Sequence, residues 1–131
     1  MNETLFTKII KGEIPSHKIY EDELTYAFLD IYPVAPGHVL VIPKKPVEFI
    51  WDLEDEDYQA LMATVKKVGE HVRAVLPQKH VGVKVVGVDV PHAHVHIIPF
   101  DEVHEYANNP DQSGEPDHEL LAEIATKLRM S

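Results

Sequence analysis

The sequence predicts an α+β domain: a five-stranded antiparallel sheet with helices packed on one face. Three observations carry this expectation. The elements read in the order helix, three strands, long helix, two strands, helix. Neighbouring strands are joined by connections too short for crossover helices, which favours antiparallel pairing. The chain has 131 residues, enough for one core and too few for two, so a single domain spanning 1–131 is expected.

Each element has its own warrant. Leu5, Phe6, Ile9 and Ile10 repeat at helical spacing, and Gly12 closes that short helix. His17 to Glu21 and Thr25 to Ile31 read as strands around a turn at Asp22-Glu23. Pro33, Pro36 and Gly37 mark a loop before the β-rich run Val39 to Ile42, which Pro43 stops. Asp52 to Leu76 is the clearest helix. Tyr58, Leu61, Met62, Val65, Val68 and Val72 step along it by three and four, and acidic residues crowd its start, where the helix dipole favours anions. Val81 to Val86 and His92 to Phe100 read as strands around a turn at Gly87 to Pro91. The polar stretch 101–115 is expected to be a mobile loop, and Pro116 opens a last helix over 116–130 with Leu120, Leu121, Ile124 and Leu128 on one face.

Composition narrows the function classes. There is no cysteine, which excludes a disulfide framework, a Cys-based zinc site and a thiol nucleophile. Twelve Lys and Arg stand against 22 Asp and Glu, giving a net charge of −10. Such a surface repels phosphate backbones and anionic lipid, so neither a nucleic-acid polymer nor a membrane is an expected partner. A small nucleotide in a local pocket stays compatible. No apolar run approaches a bilayer span and no export signal is visible, so a cytoplasmic protein is expected.

Chemistry concentrates in one place. Of nine histidines, His92, His94 and His96 fall within five residues. In a strand these three share one face while Ala93, Val95 and Ile97 face the core. A solvated polar face is the plainest reading. Metal binding is a second, with further ligands from His38, Asp89, Asp101 or His104. Chemistry on phosphorus is a third, because a neutral imidazole is both a good nucleophile near pH 7 and a good leaving group. Residue types alone do not separate the last two.

The segment Gly87 to Pro99, with His alternating with apolar residues, resembles the signature of the histidine triad (HIT) family of nucleotide hydrolases and transferases. Leu5 to Pro15 resembles the family's opening helix, and Phe28 to Ile31 with Pro36 to Lys45 its central strands. The match covers roughly residues 4 to 100. It implies a purine-nucleotide phosphoramidase or nucleotidyl hydrolase acting at the α-phosphate, dinucleoside polyphosphates included. His94 would attack phosphorus to form a covalent nucleotidyl-histidine, His96 would assist the leaving group, and His92 would support the active loop. His38 would line the same site, Asp30 would accept both ribose hydroxyls, and Leu5, Phe6, Leu29, Ile31 and Leu40 would form an apolar slot around the base. Such a slot holds a purine by stacking and is expected to discriminate loosely among bases.

The sequence also departs from the family pattern. Thr4, Thr7 and Pro46 stand where many relatives carry Cys-x-x-Cys and a zinc-binding His, so neither a structural zinc nor any cofactor is expected. Val88 and Asp89 replace a Gly-Gln-Ser loop, and Asp89 opposes an anionic ligand unless it points away or pairs with Lys84. This leaves two further alternatives: a non-catalytic nucleotide-binding or interaction module on the same fold, and a His-liganded metal enzyme. Resemblance also implies a homodimer through the long helix and a sheet edge, with Met62 and Val65 as candidate contacts.

Overall fold

The structure, a computed structural model, describes residues 3–107 and 113–130. It holds α1 (Leu5–Ile10), β1 (Lys18–Glu21), β2 (Thr25–Leu29), β3 (Val39–Pro43), a 3₁₀ turn (Ile50–Asp52), α2 (Asp55–Val75), β4 (His80–Lys84), β5 (Val95–Phe100), α3 (Val103–Ala107) and α4 (His118–Leu128). The five strands form one sheet in the order β1-β2-β3-β5-β4, every neighbouring pair antiparallel.

Alternation along the strands splits the core in two. Ala27, Leu29, Val39, Val41, Val95 and Ile97 point to one face, where they meet Leu61, Val68 and Val72 of α2 and Leu121 and Leu128 of α4. The two long helices therefore share one face, as expected. On the other face, Tyr26, Phe28, Leu40 and Ile42 cluster with Phe6 and Ile9 of α1. The opening helix thus parts from the two long helices and covers part of the opposite face.

Several boundaries differ from the sequence expectation for local reasons. The segment Asp52 to Glu54 is not α-helical; α2 starts at Asp55 after the 3₁₀ turn, and Glu54 caps it without a side-chain bond. Buried Asp57 in its first turn pairs with Lys45 at 2.8 Å. α4 begins at His118 because the Asp117 carboxylate accepts from the Leu120 N–H, which leaves Pro116 outside the helix. The 101–115 stretch contains α3; Asn108 to Gln112 lie outside the described residues.

The expected strand from His92 starts only at Val95. Pro91 brings no N–H to a ladder. The His92 N–H turns back to the Val90 carbonyl and the Ala93 N–H bonds Val47 in a loop, so pairing with β3 begins at Val95. Pro99, by contrast, sits inside β5. There β5 is paired with β4 but is already past its last β3 partner, so the missing N–H breaks no second ladder.

Candidate active site

The turn Asp89–His92 delivers the triad to the face that carries α1. His92, His94 and His96 lie along that face although only His96 belongs to a strand. Phe6 contacts the rings of both His92 and His94 edge-on at 5.6 and 5.1 Å between centroids, and His94 contacts His96 at 5.1 Å. A cleft of about 240 Å³ opens beside them. Phe6, Phe28 and Leu40 form its apolar wall, Leu5 and Ile31 its exposed rims, and Asp30, Asp89, His94 and His96 its polar end.

Hydrogen bonds fix which nitrogen of each ring holds the proton. The His92 Nε2–H donates to the Pro43 carbonyl at 2.7 Å, so its Nδ1 accepts from the Thr4 hydroxyl at 2.8 Å. Both nitrogens of this fully buried ring are thereby committed to the scaffold. The His94 Nδ1–H donates to the carbonyl of His92 at 2.7 Å, which leaves Nε2 with an unshared pair. His38 Nδ1 accepts from the Val34 N–H at 3.1 Å, so its proton sits on Nε2 and is donated to His96 Nδ1 at 2.9 Å. His96 in turn carries its proton on Nε2. One ring of the cleft therefore offers a lone pair and the next offers a donor.

Electrostatics keep these rings neutral. Burial pushes His38 down to about 3, helped by the His96 and His94 rings and by the charge of Lys84. Burial, His94 and Lys84 hold His96 at about 4, against an opposing pull from Asp89. Burial also lowers His92 and His94, with backbone carbonyls at Pro43 and His92 acting in the other direction. Asp30 is raised, first by burial and then by Asp89, while the Tyr32 N–H on its carboxylate opposes. Asp89 does not point away: it lines the cleft and its charge is felt by Asp30, His94 and His96.

The sequence-derived residues converge, with adjustments. Leu29 borders the cleft but its side chain belongs to the core beneath α2. His38 and His92 stand behind the cleft rather than in its lining, each acting on a neighbour. Asp101 instead accepts from the Lys79 N–H near the far edge of the sheet. Ile9, Ile14, Phe28, Tyr32 and Val90 also line the cleft. Only the period-two pattern of β2 could have flagged Phe28 in advance.

Among the described residues, one group could gather around a cation: Asp30, His38 and His96, with the His38 Nε2 and Asp30 oxygen 3.7 Å apart. The hydrogen bonds oppose it. A metal on His38 Nε2 requires the proton on Nδ1, where the Val34 N–H already donates. Nor do Thr4 and Thr7 form a zinc site. Their hydroxyls and amides close a capping box on α1, and the Thr4 hydroxyl serves His92.

Comparison with known proteins agrees with this geometry. The HIT domain family model matches residues 11–103. The adenosine 5'-monophosphoramidase of Schizosaccharomyces pombe is 39% identical over 99 residues, covering 72% of each chain. That of Saccharomyces cerevisiae is also 39% identical, over 72% of this chain and 61% of its own length. A HIT-like protein of Bartonella henselae superposes with a TM-score of 0.85 at 34% identity, covering 98% of this chain and 96% of that one. A zinc-bound histidine triad protein of Mycobacterium smegmatis superposes at 0.77 with 28% identity, over 95% of this chain and 89% of that one. The five-stranded antiparallel sheet with its helices matches the fold of these histidine triad structures. The chain belongs to the HIT family.

Proposed function

We propose that the protein is a purine-nucleotide hydrolase working at the α-phosphorus through a covalent intermediate on His94. The observation that carries this reading is the 2.7 Å bond from His94 Nδ1–H to its neighbour's carbonyl, which leaves a neutral ring with a free Nε2 at the polar end of an apolar cleft. The base lies between Phe6, Leu5 and Ile31, and Asp30 accepts the ribose hydroxyls with the lone pairs that Tyr32 leaves unused. His94 Nε2 forms a bond to phosphorus as the bond to the leaving group breaks, the electron pair departing with that group. The His96 Nε2–H donates to a phosphoryl oxygen. Water then attacks phosphorus, the bond from phosphorus to His94 Nε2 breaks with its electron pair returning to the ring, and the water's proton passes to bulk solvent. The phosphoramidase names of the two yeast relatives support a nucleotide substrate.

Trapping tests this directly. Protein mixed with an adenylyl phosphoramidate and quenched should carry an adenylyl group on His94 by mass spectrometry. His94→Ala should abolish turnover while AMP binding stays within about tenfold, roughly 1.4 kcal/mol. Retained turnover refutes the role of His94. Asp89 in the cleft favours one competing reading, a nucleotide-binding module without turnover; a wild-type protein that binds AMP but forms no adduct would establish it. We further propose a homodimer, with Met62 of α2 and the open edge at β4 as its surface. Val65 is buried in the core and takes no part.

A further inference from the structure

We propose that Lys84 binds the departing group of the substrate and so selects nucleotides whose α-phosphoryl bears a further phosphate over those bearing a neutral amine. This rests on the hydrolase reading above. The strand order fixes the direction in which a substrate must lie. The apolar slot sits over β2 and β3, the reacting rings lie at the start of β5, and β4 is the next strand outward. A leaving group that extends away from the slot passes His96 and meets β4.

Lys84 is waiting at that point. It is the direct cross-strand partner of His96, so the two side chains rise from the same face with Cβ atoms about 4.5–5.5 Å apart. Its ammonium is held by the Tyr106 carbonyl at 3.4 Å and lies 5.1 Å from the centre of that ring. Tyr106 is itself anchored, because its hydroxyl donates to the Val83 carbonyl at 2.9 Å and its ring lies flush on Gly82, where a Cβ would collide with ring carbons. The cation is thus positioned by α3 and β4 before any ligand arrives. Among the described residues, no carboxylate lies within 4.0 Å of it.

The chemistry separates two kinds of leaving group. When His94 Nε2 bonds to phosphorus and the bridging P–O bond breaks, a departing phosphate carries the electron pair as a stable anion. It needs no proton, and the ammonium of Lys84 meets its charge. When a P–N bond breaks, the amine must acquire a proton. His38 and His96, at about 3 and about 4, are neutral at pH 7 and carry no surplus proton, and the charge of Lys84 is one cause of this. The same lysine therefore attracts the anion and disfavours the acid.

The test compares kcat/KM on diadenosine triphosphate, which loses ADP, with kcat/KM on adenosine 5'-phosphoramidate, which loses ammonia. Lys84→Met should lower the triphosphate-to-phosphoramidate ratio at least tenfold, and Lys84→Arg should restore most of it. Lys66→Met, on the exposed face of α2, should leave the ratio at the wild-type value. An equal loss on both substrates, or an unchanged ratio, overturns the assignment of Lys84 and leaves the hydrolase reading intact. A wild-type protein that cleaves neither substrate overturns both.

Discussion

A single hydroxyl shows how closely the scaffold and the chemistry are joined. Thr4 caps α1 through the Thr7 N–H and donates to the buried Nδ1 of His92. Thr4→Val keeps the shape but leaves that nitrogen and the cap without partners. It should lower stability by about 1–3 kcal/mol in urea denaturation, with Thr4→Ser recovering most of the loss. The neutral rings carry a pH signature too. Unfolded imidazoles titrate near 6.5, whereas folded His38 and His96 do so at about 3 and about 4, and His92 and His94 are also lowered. Below 6.5 the unfolded chain therefore binds more protons. Stability is fully present above that pH and drains away as the pH falls toward 4. Asp30, raised in the fold, works in the opposite sense, but one carboxyl stands against four rings. Thermal melts from pH 7.5 to 4.5 should show a falling Tm; a flat profile would contradict the tautomers given above. The alternation of His92, His94 and His96 made their shared face legible from the sequence. The proton positions were not, since they depend on contacts such as His38 with His96 across 58 residues.

Elements were legible where their pattern was long and hidden where it was short. α2 and the alternating run of β3 announced themselves by periodicity. α3, five residues in a polar stretch, did not, and with it went the Tyr106 contacts that hold Lys84. The start of β5 was misplaced because the His-apolar alternation continues through residues whose N–H groups bond elsewhere. Glycine was legible as a turn former but not as a packing requirement. Gly37, with φ 95°, precedes His38 and faces Leu76 and Pro99 so closely that a Cβ has no room. Gly37→Ala should destabilise by about 1–3 kcal/mol and disturb the His38–His96 contact. Denaturation paired with kcat should report both losses. Gly82→Ala displaces Tyr106 and should reproduce the substrate shift of Lys84→Met.

At the scale of the whole molecule, both faces of the sheet are covered, and one group of exposed apolar residues lies together around the segments 49–51 and 85–86. Trp51 is 80% exposed, with Phe49, Val85, Val86 and Val88 also open to solvent. Together with the unpaired edge of β4 and Met62, this is the surface of the proposed dimer. Light scattering at micromolar concentration should give twice the mass of one chain, and Met62→Glu should halve it. Among the described residues, no helix is long and apolar enough to cross a membrane. Incubation with EDTA should change neither melting temperature nor turnover, because the Thr4 and Thr7 hydroxyls are committed to the cap of α1 and to His92 rather than to a cation.

The commitment of both His92 nitrogens reaches beyond the cleft. A helix of six residues has no persistence of its own in water. α1 is held by Phe6 and Ile9 packed on the sheet and by Thr4, which is fastened to a ring fastened in turn to Pro43. The expected consequence is that α1 and the turn 89–92 open as one cooperative unit. Amide exchange at Lys8 should track that at Ala93, and a spectroscopic label on either would sense the other come loose.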